Sequence, residues 1–375
     1  MRVDFNVPMD DKGEIIDDAR IVAAIPTIEH VMQQGGRLIL MSHLGRPQGK
    51  PNPQYSLKGV AAHLERLLNK PVLMADDCVG PEVQNMSEQL SPGEVMLLEN
   101  VRFHPEEEKN DSAFARELAM AGDIYVNDAF GTAHRAHAST AGIAEYLPAY
   151  AGFLLETEVN MLSQVLNHPQ APRMAILGGA KVKDKLKLIR NLLDKLDVLL
   201  VAGGMGNTFL AARGFKVGQS LYEEDMLAEC RQLLEFADSK GKVILMPADV
   251  VVSYQLAPDE RVQVVDIDVI PEDMMIVDIG PKTVKGFAMA ISKAQTIIWN
   301  GPLGVYEYPE FALGTEAIAH AVVASNAVSV VGGGDSAAVI HKLGLEKEIT
   351  HISTGGGATL EFLEGLELPG VKSCQ

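Results

Sequence analysis

Short runs of apolar, often β-branched residues recur along this chain and constrain its fold more than any other feature. The runs are continuous and do not alternate with polar residues, which is typical of parallel strands buried on both faces of a sheet. The sequence therefore predicts strands over Arg2–Val7, Arg37–Met41, Pro71–Met74, Val95–Leu98, Ile124–Asn127, Met174–Leu177, Val198–Val201, Val243–Met246, Met275–Asp278, Thr296–Trp299, Val328–Val331 and Thr350–Ser353.

Helix-length amphipathic segments separate these runs. Ser56–Leu68 and Lys183–Leu196 carry apolar residues at helical spacing and are predicted to be crossover helices. The alternation of strand and helix predicts an α/β fold, and a length of 375 residues favours two domains. We therefore expect two doubly wound, Rossmann-like parallel sheets.

The amphipathic segment Phe153–Leu166, which precedes a loop with two prolines, marks the expected domain boundary. We interpret residues 153–168 as a hinge helix that joins two domains, and an ordinary crossover helix would have the same pattern. The domains are then residues 1–152 and 169–359. The tail, residues 360–375, can pack on either of them.

Charge and cysteine content limit the classes of partner. A net charge of −18 repels nucleic acid and anionic membranes, and no apolar run approaches the ~20 residues of a membrane span. Arg2 and Asp4, within three residues of Met1, are unlike the apolar stretch of a signal peptide. Cys78, Cys230 and Cys374 are scattered, which favours the reducing cytoplasm over a disulfide framework or a zinc site.

The stretch AVSVVGGGDSAAVIHK, residues 327–342, has the pattern of a strand, a glycine turn and a helix. Such a turn lets phosphate approach the backbone and the N–H groups at the helix start. An ordinary turn with Asp335 as N-cap is the alternative. A dinucleotide turn is a third interpretation, but the acidic residue expected about 20 positions later is absent near Ser353. Asp335 beside the glycines suits a metal-bound polyphosphate better.

Arginine and histidine follow several strands in the first half of the chain. Because the carboxyl ends of parallel strands share one edge, these residues are expected to form a site for a small, highly anionic ligand. Each of them alone also fits a solvated surface residue, and the pair His134 and His137 lacks a third metal ligand. The residues are Asp4, Asn6, Arg20, Ser42, His43, Arg46, Asn100, Arg102, His104, Asp128, His134, Arg135 and His137.

Glycine follows the strands of the second half, with lysines and a single well-placed acid. This pattern suits a nucleotide with Mg²⁺, although glycines also serve close-packed turns, and no P-loop motif is present. Lys181 and Lys185 lie four residues apart and are expected to share a helix face. The glycine-rich tips are residues 178–181, 203–207, 278–280, 300–307, 332–336 and 353–357.

Two kinds of anion site in two domains suit phosphoryl transfer, in which positioning and charge neutralisation supply most of the catalysis. They also suit closure of the domains around both ligands, which excludes water. No general base is evident near the arginines.

Motifs in this order resemble the phosphoglycerate kinase family: RVDFNVP, SHLGRP, LENVRFH, VNDAFGTAHRAH, LGGAKVKDK, WNGPLGVYE, VGGGDS and STGGGA. The resemblance covers residues 2–370. It implies reversible, Mg²⁺-dependent phosphoryl transfer between ATP and the carboxylate of 3-phosphoglycerate, giving 1,3-bisphosphoglycerate and ADP. The enzyme would be a cytoplasmic monomer that acts in glycolysis. Ser336 stands where the family usually has Thr, and the hydroxyl group is kept.

The resemblance also implies roles for individual residues. Residues 1–152 would bind phosphoglycerate, with the tail packed back on them, through Asp4, Asn6, Arg20, His43, Arg46, Arg102 and Arg135. Residues 169–359 would bind the Mg-nucleotide through Gly179, Ala180, Lys185, Gly203, Gly204, Asn300, Pro302, Glu307, Gly333, Gly334, Asp335 and Ser336. Asp335 would hold Mg²⁺, and the transferred group would be stabilised by Arg20, Lys181, Gly333 and Gly356.

Two other functions compete with the kinase. A non-catalytic binding protein would keep both pockets but lose part of the catalytic set, and Arg20, Lys181 and Asp335 are all present. A nicotinamide dehydrogenase is disfavoured by the missing acidic residue described above.

Overall fold

The computed structural model describes residues 1–10 and 12–374. The chain divides into two compact units. The first contains residues 1–160 together with 367–375, and the second contains residues 161–366. Among the described residues, no helix is long and apolar enough to cross a membrane.

The first unit is built on short parallel strands. β1 (Leu38–Leu40), β2 (Val72–Met74) and β3 (Val95–Leu97) form a parallel sheet in the order β1-β3-β2, and β4 (Tyr125–Asn127) pairs in parallel with β5 (Ala149–Ala151). Its described helices are α1 (Ala19–Gln33), α2 (Lys58–Leu68), α3 (Pro81–Gln89), α4 (Pro105–Glu108), α5 (Ser112–Ala119), α6 (Phe153–Asn167), which runs past residue 160, and α14 (Pro369–Lys372) near the C-terminal end.

The predicted strand Arg2–Val7 is wrong as a regular strand. Only Arg2 pairs, through parallel bridges to Met41 and Asn127, the residue after β1 and the last residue of β4. Beyond Arg2, backbone N–H groups bond to a side chain or within the segment. Phe5 N donates to Ser42 Oγ at 2.9 Å, and Val7 N donates to Phe5 O at 2.9 Å. The segment thus links the two small sheets through Arg2, and its later residues, including the polar ones, do not pair as a strand.

The second unit contains a six-stranded parallel sheet in the order β14-β13-β12-β6-β7-β8. The strands are β6 (Arg173–Leu177), β7 (Val198–Val201), β8 (Val243–Leu245), β12 (Thr296–Asn300), β13 (Val328–Gly332) and β14 (His351–Ile352). Trp299 on the central strand β12 is fully buried, among aliphatic side chains of the neighbouring strands and helices. The predicted α/β class with parallel sheets is confirmed.

A separate antiparallel sheet, in the order β10-β9-β11, lies outside the predicted pattern. It contains β9 (Asp249–Ser253), β10 (Gln263–Asp266) and β11 (Met275–Ile279). The prediction that Met275–Asp278 is a parallel strand is therefore wrong, because β11 pairs antiparallel with β9. β10 gives no clear apolar signal because it is an edge strand whose residues are mostly exposed.

The helices of the second unit that begin after residue 180 are α7 (Leu186–Lys195), α8 (Gly203–Ala212), α9 (Leu227–Ser239), α10 (Pro281–Ile291), α11 (Leu313–Ala324), α12 (Gly334–Leu343) and α13 (Gly357–Leu363). Several of them begin just beyond a strand, so their N-termini bring backbone N–H groups to the edge of the sheet where the glycine-rich turns lie.

The tail predicted over 360–375 divides in the structure. Residues 360–366 belong to the second unit, where Asn191 Nδ2 donates to Leu363 O at 2.5 Å. From Glu367 onward the chain belongs to the first unit. There Gly370 N donates to Ala133 O at 2.8 Å, and Gly370 O accepts from Asn127 Nδ2 at 2.9 Å.

Candidate active site

Asp4 and Arg20 form the best-defined ion pair among the predicted anion-binding residues of the first unit. Arg20 Nη1 lies 3.1 Å from Asp4 Oδ2 and donates to Asn6 O at 3.0 Å. The Asp4 side chain is 9% exposed and that of Arg20 35% exposed. The carboxylate therefore acts as an internal anchor that orients a guanidinium whose remaining donors reach solvent.

The loop after β1 is hydrogen-bonded to two residues near this ion pair, Asn6 and Arg102. Gly45 N donates to Asn6 Oδ1 at 2.8 Å, and Gly45 O accepts from Arg102 Nη1 at 3.0 Å. Gly45 has φ +60°, and a Cβ there would lie 2.4 Å from the Tyr55 ring, so this position requires glycine. The structure thus brings Asn6, Arg20 and Arg102 together through one loop.

His43 is buried behind the arginines. Its Nδ1 accepts from Arg2 Nη2 at 3.1 Å and lies 4.0 Å from Asp4 Oδ1. Burial, followed by the charges of Arg2 and Arg102, lowers the pKa of His43 well below its ordinary value. The imidazole is therefore neutral near pH 7 and contributes a hydrogen-bonding group without adding positive charge.

Arg46 and Arg135 differ from the anchored residues because both are exposed. Arg135 Nε contacts His134 Nε2 at 3.2 Å, and Arg46 has no hydrogen bond or ion pair within residues 1–10 and 12–374. Arg102 lies 3.3 Å from Glu108. These cations produce a local positive potential, and burial together with Arg102, Arg2 and Arg135 lowers the pKa of His137 to about 4.

In the second unit, the turn after β6 is pinned to the turn after β12. Gly178 N donates to Asn300 O at 3.0 Å, and Gly179 N donates to Pro302 O at 3.0 Å. Lys185 Nζ donates to Gly178 O at 2.9 Å and to Asn300 O at 3.1 Å. Burial lowers the pKa of Lys185 to about 8, an effect opposed by the charge of Asp335.

The expectation that Lys181 and Lys185 share a helix face is wrong. Lys185 ends the 3₁₀ turn Lys183–Lys185, and Lys181 precedes that turn, because the glycine-rich segment delays the start of α7 until Leu186. Lys181 is exposed, and among the described residues its side chain has no hydrogen bond or ion pair. One lysine is thus held inside the turn, and the other projects from it.

Gly203 and Gly204 start α8 against the turn that follows β6. Gly203 has φ +66°, and Met205 N donates to Gly179 O at 3.0 Å. A Cβ on Gly204 would lie 2.5 Å from Ala180 O. Contact between the two backbones therefore requires glycine, and the N–H groups at the start of α8 stay beside Gly179 and Ala180.

The GGGDS turn joins β13 to α12. Gly333 is the N-cap at φ +93°, so the alternative with Asp335 as N-cap is wrong, and Asp335 lies within the first helical turn. Asp335 Oδ1 accepts from Tyr306 OH at 3.2 Å. Ser336 Oγ accepts from Gly301 N at 2.6 Å, which fixes the turn that carries Pro302.

The remaining candidates lie on neighbouring turns. Asn300 Nδ2 donates to Gly332 O at 2.9 Å, linking the ends of β12 and β13. Glu307 is exposed, next to Tyr306. Gly356 is the N-cap of α13 at φ +39°, and Gly334 opens α12. The Asp335 carboxylate is the hard oxygen donor that Mg²⁺ prefers, so the residues present fit a nucleotide-bound magnesium ion.

Two neighbours of these residues had no individual role predicted from sequence, although Tyr306 lies within the predicted tip 300–307. The sequence pattern places Arg2 only in a strand, yet the residue is 1% exposed, and its guanidinium contacts His43 Nδ1 at 3.1 Å and Ser139 Oγ at 2.8 Å. Tyr306 contacts Asp335. An arginine at the start of a predicted buried strand was the available signal for Arg2, because a buried charge requires polar partners.

Asp77, Cys78 and His104 form another cluster in the first unit, with ligand atoms within 4.8 Å of one another. His104 Nε2 and Asp77 Oδ1 are 2.7 Å apart, and Cys78 N donates to the same oxygen at 2.6 Å. Hydrogen bonding within the cluster accounts for its arrangement.

Comparison with known proteins gives one consistent answer. A family model described as "Phosphoglycerate kinase" matches residues 1–366. Phosphoglycerate kinase of Moorella thermoacetica is 54% identical over 371 residues, covering 99% of this chain and 94% of that protein. Phosphoglycerate kinase of Prosthecochloris aestuarii is 56% identical over 375 residues, with the same coverages of 99% and 94%.

Comparison with solved structures gives the same family. The structure of phosphoglycerate kinase from Coxiella burnetii matches with a TM-score of 0.90 at 44% identity, covering 100% of this chain and 94% of that one. The phosphoglycerate kinase structure from Pyrococcus horikoshii matches with a TM-score of 0.87 at 36% identity, covering 100% and 95%. The chain therefore belongs to the phosphoglycerate kinase family, the glycolytic enzymes that transfer a phosphoryl group between ATP and 3-phosphoglycerate.

Proposed function

We propose that the first unit of this phosphoglycerate kinase binds 3-phosphoglycerate and that the second binds the Mg-nucleotide. The observation that carries this assignment is the half-buried Lys185 ammonium group among glycine turns, whose pKa also responds to the charge of Asp335 in the first turn of α12. The candidate arginines lie in the first unit, whereas the second offers helix-start N–H groups around a half-buried amine.

The phosphoglycerate anion would be held by residues with distinct tasks. Arg20, Arg46, Arg102 and Arg135 supply positive charge, and guanidinium forks match both phosphate and carboxylate oxygens. Asp4 orients Arg20, while Asn6 and the neutral His43 supply hydrogen-bonding groups. The local cations overcome the repulsion expected from a net charge of −18.

The nucleotide would lie along the glycine turns of the second unit. Backbone groups at Gly179, Ala180, Gly203 and Gly204 approach it closely, and Asn300, Pro302 and Glu307 line the neighbouring turn. Lys185 and the α12 start, with Gly333, Gly334 and Ser336, face its phosphates. Asp335 would hold the Mg²⁺ that accompanies the nucleotide and that neutralises phosphate charge when bound.

Transfer to the carboxylate of 3-phosphoglycerate requires no general base, because this acceptor is ionised near pH 7. Arg20, Lys181 and the backbone amides of Gly333 and Gly356 would stabilise charge on the transferred group. The exposed Lys181 side chain, which has no hydrogen bond or ion pair among the described residues, supports this role because its ammonium group is available to a ligand.

Both ligands must meet for transfer, so we further propose closure of the two units around α6 as hinge. We also propose that the enzyme is a cytoplasmic monomer. Cys78, Cys230 and Cys374 are all free thiols, which supports a reducing compartment.

Calorimetric titration of two variants tests the division of ligands between the units. Arg46→Ala and Glu307→Ala each remove an exposed side chain, so folding is expected to survive. The first should raise the Kd of 3-phosphoglycerate at least ~10-fold with Mg-ADP binding unchanged, and the second should do the reverse. If either variant loses both ligands equally, or neither, the assignment is overturned.

A further inference from the structure

Glu223 lies outside the residues considered so far, in the segment that precedes α9. Its carboxylate Oε2 accepts from Val182 N at 2.5 Å and from Lys183 N at 3.2 Å. These two residues directly follow Lys181 along the chain. A side chain from a distant part of the second unit thus holds the backbone next to the proposed catalytic lysine.

Glu223 is itself fixed to the nucleotide-facing end of α8. Its backbone N donates to Thr208 Oγ1 at 3.2 Å, and that buried hydroxyl donates to Gly204 O at 3.0 Å. Asn207 Nδ2 donates to Leu221 O at 3.1 Å and secures the same segment. The carboxylate therefore connects the turn after β6 with the glycine start of α8.

The chemistry favours this contact. The N–H groups of Val182 and Lys183 lie at the start of the 3₁₀ turn and α7, where backbone donors have no partner within the helix. A carboxylate there satisfies two donors with charge-assisted bonds and interacts favourably with the helix dipole. Because the Lys181 side chain has no hydrogen bond or ion pair within the described part of the chain, its position depends on the backbone that Glu223 holds.

We infer that Glu223 is a positioning residue for phosphoryl transfer, acting through Lys181. The inference rests on the proposed role of Lys181. Lys185 is anchored separately by the carbonyl groups of Gly178 and Asn300, so loss of the Glu223 carboxylate should leave nucleotide binding largely intact. A merely structural cap would change stability without changing the turnover of the folded enzyme.

Steady-state kinetics with ATP varied at saturating 3-phosphoglycerate supplies the test. Glu223→Ala should lower kcat roughly 10- to 100-fold, the scale of a small displacement of a catalytic group, while KM for ATP changes less than about threefold. Glu223→Gln keeps one acceptor and should recover part of kcat, which also covers the case in which the alanine variant fails to fold. The neighbouring exposed Glu224→Ala is the matched control and should behave as wild type.

A double-mutant cycle with Lys181→Ala separates this inference from the site assignment on which it rests. If Glu223 acts through Lys181, adding Glu223→Ala to Lys181→Ala should lower kcat no further. If Lys181→Ala lowers kcat but neither Glu223 variant does, or the two losses multiply, the positioning role of Glu223 alone is overturned. If Lys181→Ala leaves kcat within about threefold of wild type, the proposed role of Lys181 fails, and this inference fails with it.

Discussion

Asp335 is the residue on which the proposed magnesium chemistry depends. Asp335→Asn keeps the shape of the side chain and its contact with Tyr306 but removes the negative charge. We expect activity to fall at least ~100-fold and Mg-nucleotide binding to weaken, because a neutral amide is a poor ligand for a hard cation. Coupled assays at several Mg²⁺ concentrations measure both, with the exposed Glu348→Gln as control. Near-wild-type turnover at ordinary Mg²⁺ would contradict the role of Asp335.

Lys185 gives a pH-dependent prediction. Its pKa is lowered from 10.5 to about 8, mainly by burial, so the ammonium group loses its proton as pH rises through about 8. Phosphate binding then loses a positive charge, and kcat/KM for ATP should fall across that range. Lys185→Ala should chiefly raise KM for ATP and should lack this pH dependence. If the alanine variant keeps the same pH profile, another group is responsible.

The two lysines also show what residue types and spacing can predict. Lysines beside a glycine turn indicate a phosphate site from sequence alone, and that site stays a prediction. Their different environments were not predictable, because the carbonyl group that holds Lys185 from β12 belongs to Asn300, which is remote in sequence. The burial of Arg2 left a signal in the sequence, but its partners were not predictable for a similar reason, since His43 and Ser139 come from distant loops.

At the scale of elements, Asp128 ties the end of β4 to the start of α6. Its Oδ1 accepts from Leu154 N at 2.9 Å and from Leu155 N at 3.2 Å. These N–H groups at the start of α6 have no acceptor within the helix, and Asp128 supplies one. Burial outweighs these bonds and raises the pKa of Asp128 from 3.8 to about 6. The folded protein thus keeps this proton at pH values where the unfolded chain has lost it.

The sign of the resulting pH dependence follows from proton linkage. Since the pKa of Asp128 is raised on folding, its contribution to the free energy of unfolding falls as pH rises from about 4 to about 6. Asp128→Asn removes this titration, so wild type should lose on the order of 2 kcal/mol relative to the variant across that window. Urea unfolding at both pH values measures it, with exposed Asp123→Asn as control. Equal changes in wild type and Asp128→Asn would disprove the effect.

Strand prediction succeeded for the strands of the large parallel sheet, missed the antiparallel strands β9 and β10, and failed for the buried segment Arg2–Val7. The runs that form β6, β7, β12 and β13 are continuous and apolar because neighbouring strands and helices enclose them. β10 is mostly exposed, and the Arg2–Val7 run leaves its neighbours after Arg2 because hydrogen bonds to Ser42 and within the segment replace strand pairing. The pattern of apolar residues in the sequence indicates burial, and it does not directly show whether a segment pairs with a neighbouring strand.

At the scale of the whole molecule, the separation of arginines and glycine turns into two units predicts a change in dimensions. Either substrate alone should leave the radius of gyration close to that of the free enzyme, and both together should reduce it. Small-angle scattering with neither, either and both ligands, at several protein concentrations, tests closure and the monomeric state together. An unchanged radius of gyration with both ligands bound would argue against closure.

The return of residues 367–375 to the first unit means that this unit is discontinuous in sequence. During synthesis the whole second unit leaves the ribosome before the segment that donates to Ala133 and accepts from Asn127 is made. A nascent chain ending near residue 160 therefore lacks partners for these two groups. Folding of the first unit during translation must remain incomplete until its last segment arrives, so vectorial synthesis cannot finish the two units in chain order.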